Sequence, residues 1–258
     1  VFKNLNVKKI VIEDGVTSIG EKAFSACKSL TSITIPDSVT SIGKGAFSYT
    51  GLKSITIPDG VTSIGYEAFS YTGLKSITIP DSVTSIRNYA FNNCKNLTSI
   101  TIPDSVTSIG NSAFRYCSSL TSITIPDSVT SIGASAFGYC SDLISITIPD
   151  SVTSIRDSAF NNCDSLQTIS LGCGSALKRS DFGKQGDLVS YASHILKKTA
   201  AKAATCTEDG NKAYWTCEHC KKYFLSDDTN PETAKAVEQS ETVIPASHKL
   251  TKVEAKDA

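Results

Sequence analysis

The chain has 258 residues, with 25 basic and 25 acidic side chains, and this balance argues against the basic face of a nucleic-acid binder. The balance is also local, since residues 1–177 carry 12 basic and 13 acidic side chains and 178–258 carry 13 and 12, so neither part is steered to polyanions or acidic membranes. No run of 18 apolar residues is present, so no membrane-inserting segment is expected. The chain begins at Val1 inside a repeat and reads as a mature or excised fragment, so its lack of a leader says nothing of compartment.

From the first residues onward the sequence repeats. Phenylalanine recurs at Phe24, Phe47, Phe69, Phe91, Phe114, Phe137 and Phe160, at intervals of 22 or 23 residues. This marks about seven near-identical units over residues 5–171. In the unit Leu97 to Cys117, Leu-x-x-Ile-x-Ile alternates as a strand with one buried face. Pro103 ends that strand, and Pro-Asp-Ser turns the chain. Val-Thr-Ser-Ile-Gly reads as a second short extended piece, and Ala-Phe-x-x-Cys has helical or 3₁₀ spacing. In two units Tyr-Thr-Gly (Tyr49 to Gly51, Tyr71 to Gly73) replaces the Cys-containing turn and shortens the repeat by one residue. Such a unit cannot bury its apolar face alone, but stacked copies make one continuous core with strands in parallel register.

The pattern L-x-x-I-x-I-P-x-x-V-x-x-I-G-x-x-A-F-x-x-C resembles the BspA-like (Treponema pallidum type) leucine-rich repeat. The resemblance implies an α/β-type leucine-rich repeat solenoid, mostly β with short helical turns. It also implies a secreted or surface location on bacteria or protists, and binding to host proteins or cells.

Three columns on the solenoid are candidate sites. Ser32/Thr34 and their equivalents, through Thr168/Ser170, form an outward hydroxyl ladder that hardly varies, so it reads as a solvated sheet face before it reads as a ligand groove. Two residues after each phenylalanine stand Ala26, Tyr49, Tyr71, Asn93, Tyr116, Tyr139 and Asn162. Tyr49, Tyr71, Tyr116 and Tyr139 would make an aromatic strip able to hold protein or sugar, or would simply cover the loop side of the core. The column Cys27, Cys94, Cys117, Cys140 and Cys163 reads as buried thiols serving as small apolar groups. No histidine precedes His194, so neither a zinc site nor a catalytic base is available to the repeats.

The repeat fails after Leu171. Residues 1–177 are expected to form the solenoid with its C-terminal cap, 178–193 a linker, and 194–258 a Cys/His-rich module. In the module Cys217-x-x-Cys220 is a knuckle, and Cys206 with His194 would complete a tetrahedral zinc set. His248 is an alternative, because Ala192-Ser193-His194 recurs 54 residues later as Ala246-Ser247-His248, where a second copy starts. A disulfide from Cys206 to Cys217 or Cys220 is the rival reading, while redox and catalytic-zinc roles are weaker. The segment also resembles short Cys-rich modules found in tandem in surface proteins of gut Firmicutes. The expected function is non-catalytic, an adhesin-like contact with a protein on a host or neighbouring cell. The alternatives are an architectural spacer or a glycan-binding module.

Overall fold

A computed structural model describes residues 2, 5–202, 210–225 and 234–244. The chain divides into two compact units, Val1–Leu171 with Ser175–Ser190, and Gly172–Gly174 with Tyr191–Ala258.

The first unit is a parallel-stranded solenoid. On one side Lys9–Val11 pairs with Ser32–Thr34, Ser76–Thr78 with Ser99–Thr101, and Ser145–Ile148 with Thr168–Leu171, each residue facing its equivalent one coil on. Alternation sets the faces: Ile33, Ile77 and Ile100 are buried, while the flanking Ser and Thr are exposed. On a second side Ser18–Ile19, Ser41–Ile42 and Ser63–Ile64 form one parallel sheet, and Ser108–Ile109, Ser131–Ile132 and Ser154–Ile155 another. Between the two sides the Pro-Asp-Ser turn closes with a bond from the valine N–H to the proline carbonyl, as from Val106 to Pro103 at 3.1 Å.

On the third side the Ala-Phe-x-x-Cys stretch takes the 3₁₀ alternative of its spacing and not an α-helical turn. Within a coil, Ala23, Ser25 and Cys27 each donate to the carbonyl three residues back, which is the 3₁₀ bond. Lys22, Phe24 and Ala26 instead donate to Lys44, Ala46 and Ser48 of the next coil, each at 2.8 Å. Two residues per coil, four apart, are left-handed, as at Glu67 (φ 56°) and Tyr71 (φ 58°). A helix cannot pass through such residues, so the chain makes a run of tight turns whose free N–H groups ladder between coils. The left-handed conformation costs about 1–2 kcal/mol for a non-glycine residue, and the ladder offsets it.

Along the axis the rings of Phe24, Phe47, Phe69, Phe91, Phe114, Phe137 and Phe160 form an offset stack with centroids 5.4–5.5 Å apart. Phe2 extends it at one end at 5.7 Å and Phe182 at the other at 6.2 Å. Phe182 lies in the 3₁₀ segment Arg179–Leu188, so part of the stretch expected as linker covers the last coil. The repeat cysteines are buried free thiols beside this stack. Cys94, Cys117, Cys140 and Cys163 donate to the carbonyls of Phe69, Phe91, Phe114 and Phe137 at 3.1–3.2 Å. In the short coils Thr50 and Thr72 take the same column, each donating to its own coil's phenylalanine carbonyl at 2.9 Å. The column is therefore a row of donors to buried carbonyls, and threonine serves it as well as cysteine.

The second unit is an antiparallel sheet of Leu196–Thr199, Tyr214–Cys217, Tyr223–Phe224 and Ala236–Val237, in that order. Its apolar centre is small: Cys173, Cys217 and Phe224, with Leu196, Trp215, Cys220 and Ala234 packed against them. A core of this size needs a further staple to hold a fold.

Candidate interaction surface and metal site

The tyrosine column sits at the second left-handed position of each coil, with φ of 58–62° at Tyr49, Tyr71, Tyr116 and Tyr139. The tight turn directs these side chains outward, and Tyr49 and Tyr71 are 48% and 43% exposed. The rings do not form one continuous strip. Tyr49 and Tyr71 stack at 4.3 Å, Tyr116 and Tyr139 at 4.5 Å, and Asn93 occupies the register position between the pairs. Desolvation first, and then the neighbouring Tyr71 hydroxyl, raise the Tyr49 hydroxyl above the ordinary phenol range.

Arg115 distinguishes the second pair. Its guanidinium lies 4.7 Å from the Tyr116 ring centroid and 5.1 Å from that of Tyr139, a double cation–π contact. The Arg115 Nε is buried with no hydrogen-bond partner among the described residues. Sequence inspection singled out the tyrosines but passed over Arg115, which stands where other coils carry Ser25, Ser48 or Ser70.

In the second unit His194, Cys217 and Cys220 come together, and the fourth member of the group is Cys173. Cys206, expected there from the sequence, and His248 lie outside the described residues. Cys173 is the one cysteine that belongs neither to the repeat column nor to the 206–220 cluster, and that isolation was the signal available. The four donor atoms all lie within 4.8 Å of one another, with Cys173 Sγ to Cys217 Sγ and Cys220 Sγ to His194 Nδ1 both at 3.6 Å. A tetrahedral zinc with Zn–S bonds near 2.3 Å requires donor separations of about 3.8 Å, so the residues present fit such an ion with little adjustment.

Local structure prepares this geometry. The Cys217 N–H donates to Lys222 O and the Lys221 N–H to Cys217 O, both at 3.0 Å, while Lys221 takes φ 60° to close the knuckle. Burial tends to raise the Cys217 thiol, but N–H groups of Cys220 and His219 and the His194 side chain outweigh it and bring it down to about 6. Burial, then the Cys217 side chain, push Cys173 up to about 12, and burial also raises Cys220.

The fold is thus that of a leucine-rich repeat solenoid, with a small Cys/His unit beyond it. Residues 1–118 and 62–183 match the profile of the BspA type leucine rich repeat region in 6 copies, and the chain belongs to that family. Membership suggests a protein-binding or cell-surface role, since leucine-rich repeat proteins typically bind other proteins. Among solved structures the chain is similar to a leucine rich cell surface protein from Faecalibacterium prausnitzii, at 32% identity over 72% of this chain and 60% of that one, with a TM-score of 0.47. It is similar to a leucine-rich repeat protein from Bacteroides ovatus at 30% identity over 72% and 61% of the two chains, TM-score 0.47. It is also similar to a leucine rich repeat protein of T. pallidum at 26% identity over 65% and 60%, TM-score 0.39. The chain therefore spans about three fifths of the length of these solved chains. No curated protein matches it. Among the described residues no helix is long and apolar enough to cross a membrane.

Proposed function

We propose that the chain is a non-catalytic interaction module of a secreted or surface-exposed bacterial protein, adhesin-like, contacting a protein on a host or neighbouring cell through its tyrosine column. The observation that carries this reading is the pair of ring stacks, the exposed Tyr49–Tyr71 and the half-buried Tyr116–Tyr139, the second clamped by Arg115. Tyr and Arg dominate the energetics of protein interfaces because flat, rigid side chains bury much area at small entropic cost. The uniform Ser/Thr face offers no comparable anchor. The second unit is then a stalk whose fold is held by zinc on Cys173, His194, Cys217 and Cys220.

The test is a variant with Tyr49, Tyr71, Tyr116 and Tyr139 all replaced by Ser, applied to arrays of matrix and host-cell proteins. Serine keeps the outward turn, so circular dichroism and melting should change little. Ligands captured by the parent chain should be lost. Full retention of binding would move the function to another face, and no binding by either chain would favour the architectural spacer.

A further inference from the structure

One glycine per coil follows the Val-Thr-Ser-Ile segment, at Gly20, Gly43, Gly65, Gly110 and Gly133. A Cβ at Gly65 would lie 2.6 Å from Gly43 C, and one at Gly110 2.6 Å from the Asn88 N. Backbone packs on backbone here, and glycine is what the spacing allows. Arg87 and Arg156 occupy the same register.

At Arg87 the ladder of this side is interrupted, while Phe69 and Tyr71 still bond to the next coil. Thr62 and Gly65 donate back to Thr40 and Ile42, and Thr107 and Gly110 to Thr84 and Ile86, at 2.8–3.0 Å. No such bond joins 84–87 to 62–65 among the described residues, and the sheet ending at Ser63–Ile64 is not continued to Ile86. Arg156 keeps its bond to Ile132 at 3.0 Å, so an arginine alone does not break the ladder. What differs is the neighbouring coil, which has Tyr66 beside Gly65 where it has Ala134 beside Gly133.

Beside this break lies an open pocket of about 340 Å³ lined by Tyr66, Ser85, Ile86, Arg87, Asn88 and Ser108. Tyr66 is backed by Tyr89 at 5.2 Å and by the Lys44 ammonium 5.4 Å from its centroid. Asn88 Oδ1 accepts from the Asn111 N–H at 2.8 Å, which leaves the amide N–H₂ free to donate. The exposed Arg87 guanidinium makes no hydrogen bond or ion pair among the described residues. Glu67, the nearby acid that acts on Tyr66, forms no ion pair with it.

We propose that this pocket beside the break is a binding site for a carboxylate-bearing sugar residue. Tyr66 offers a flat ring to the apolar face of a pyranose. Arg87 presents a planar fork that matches a carboxylate, and a free guanidinium forms such pairs without first losing an internal partner. Ser85, Asn88 and Ser108 supply short donors and acceptors suited to ring hydroxyls. An acidic peptide would pair with the arginine but offers Tyr66 no pyranose face to cover. The site is separate from the tyrosine column, and the two assignments stand or fall independently.

The experiment is calorimetric or ligand-observed NMR titration of the full chain with glucuronate, glucose, acetate and an acidic peptide, repeated on Arg87→Gln and Tyr66→Ala. Glucuronate should bind saturably, about tenfold or more tighter than glucose, since a charge-assisted pair carries the difference. Each variant should weaken glucuronate binding about tenfold, with the melting curve showing it folded. Equal affinity for glucose, or no change in Arg87→Gln, would overturn the site. Acetate or an acidic peptide binding as tightly as glucuronate would overturn the sugar assignment.

Discussion

Replacing Cys173 by serine tests the composition of the metal group, because it separates the donor that the structure brings in from Cys206. The two sulfur and nitrogen separations of 3.6 Å already approach the edges of a tetrahedral site, so ion uptake needs little reorganisation. A structural zinc is worth about 10–16 kcal/mol at neutral pH, so loss of one donor in four costs roughly 3 kcal/mol, about a hundredfold in Kd. The assay is competition of the full chain, Cys173→Ser and Cys206→Ser against a chromophoric zinc chelator, with metal content measured on protein purified without added zinc. The parent chain and Cys206→Ser should hold one equivalent, and Cys173→Ser should lose it at the same chelator strength. Chelation should also abolish the near-ultraviolet dichroism of Trp215, which packs against Cys217 and Phe224. If Cys206→Ser loses the ion and Cys173→Ser keeps it, the donor set assigned to this unit is wrong. A parent chain free of metal, with a disulfide among these sulfurs, would refute the zinc assignment altogether.

Zinc uptake at pH 7 should release protons from Cys173 and Cys220, whose thiols are raised, so affinity should weaken as pH falls from about 8 to 6; a pH-independent affinity would contradict this. Within the solenoid, burial pushes Cys94 and Cys163 up from 9.0 to about 11 and raises Cys117 and Cys140 strongly as well. Raised pKa values mean stability present below pH 9 and lost as pH climbs, at about 5 kcal/mol per unit for four thiols together. Melting should therefore fall faster between pH 9 and 11 for the parent than for a variant with these four cysteines replaced by alanine. Phe114→Ala, which empties a fully buried ring site between two neighbours at 5.5 Å, should cost about 3–5 kcal/mol by denaturant unfolding. Phe2→Ala, at a ring 57% exposed with one neighbour, should cost less than about 1 kcal/mol.

The repeat was legible because burial in a solenoid is periodic, so Phe, Leu, Ile and Val recur wherever the chain turns inward. Three features escaped that logic for different reasons. Ala-Phe-x-x-Cys has helical or 3₁₀ spacing and forms the second, but its left-handed positions were hidden, since neither Tyr71 nor Ser135 announces them as glycine would. Phe182 continues the ring stack 22 residues after Phe160, but the surrounding coil sequence is gone, and a single residue carries no pattern. Cys173 joins a cluster through contacts 21 to 47 residues away, a distance that no local motif spans. Of the candidate surface, the tyrosines could be placed in register, whereas their division into two stacks and the Arg115 clamp depend on ring geometry.

In a uniform repeat, recognition has to reside where the repeat is broken, and Arg87 permits that principle to be tested on the backbone itself. Coil stability in a solenoid is close to a sum of nearest-neighbour terms, so the interruption between residues 62–65 and 84–87 weakens one interface, still held by the Phe69 and Tyr71 amides and the Phe69–Phe91 stack, and leaves the others intact. If Arg87 and Tyr66 together hold the coils apart, Arg87→Gly should let the Thr84 and residue 87 amides reach Thr62 and Ile64 as their equivalents do. Hydrogen exchange reads this directly. Protection at those two amides should rise to the level of Thr107 and Gly110, while amides elsewhere stay unchanged. The gain of about 1 kcal/mol per restored bond is partly offset by the greater unfolded-state freedom of glycine, so global melting is the poorer readout. Arg156→Gly is the control, because Arg156 is already bonded to Ile132. Unaltered exchange in Arg87→Gly would place the cause of the interruption elsewhere in the coil.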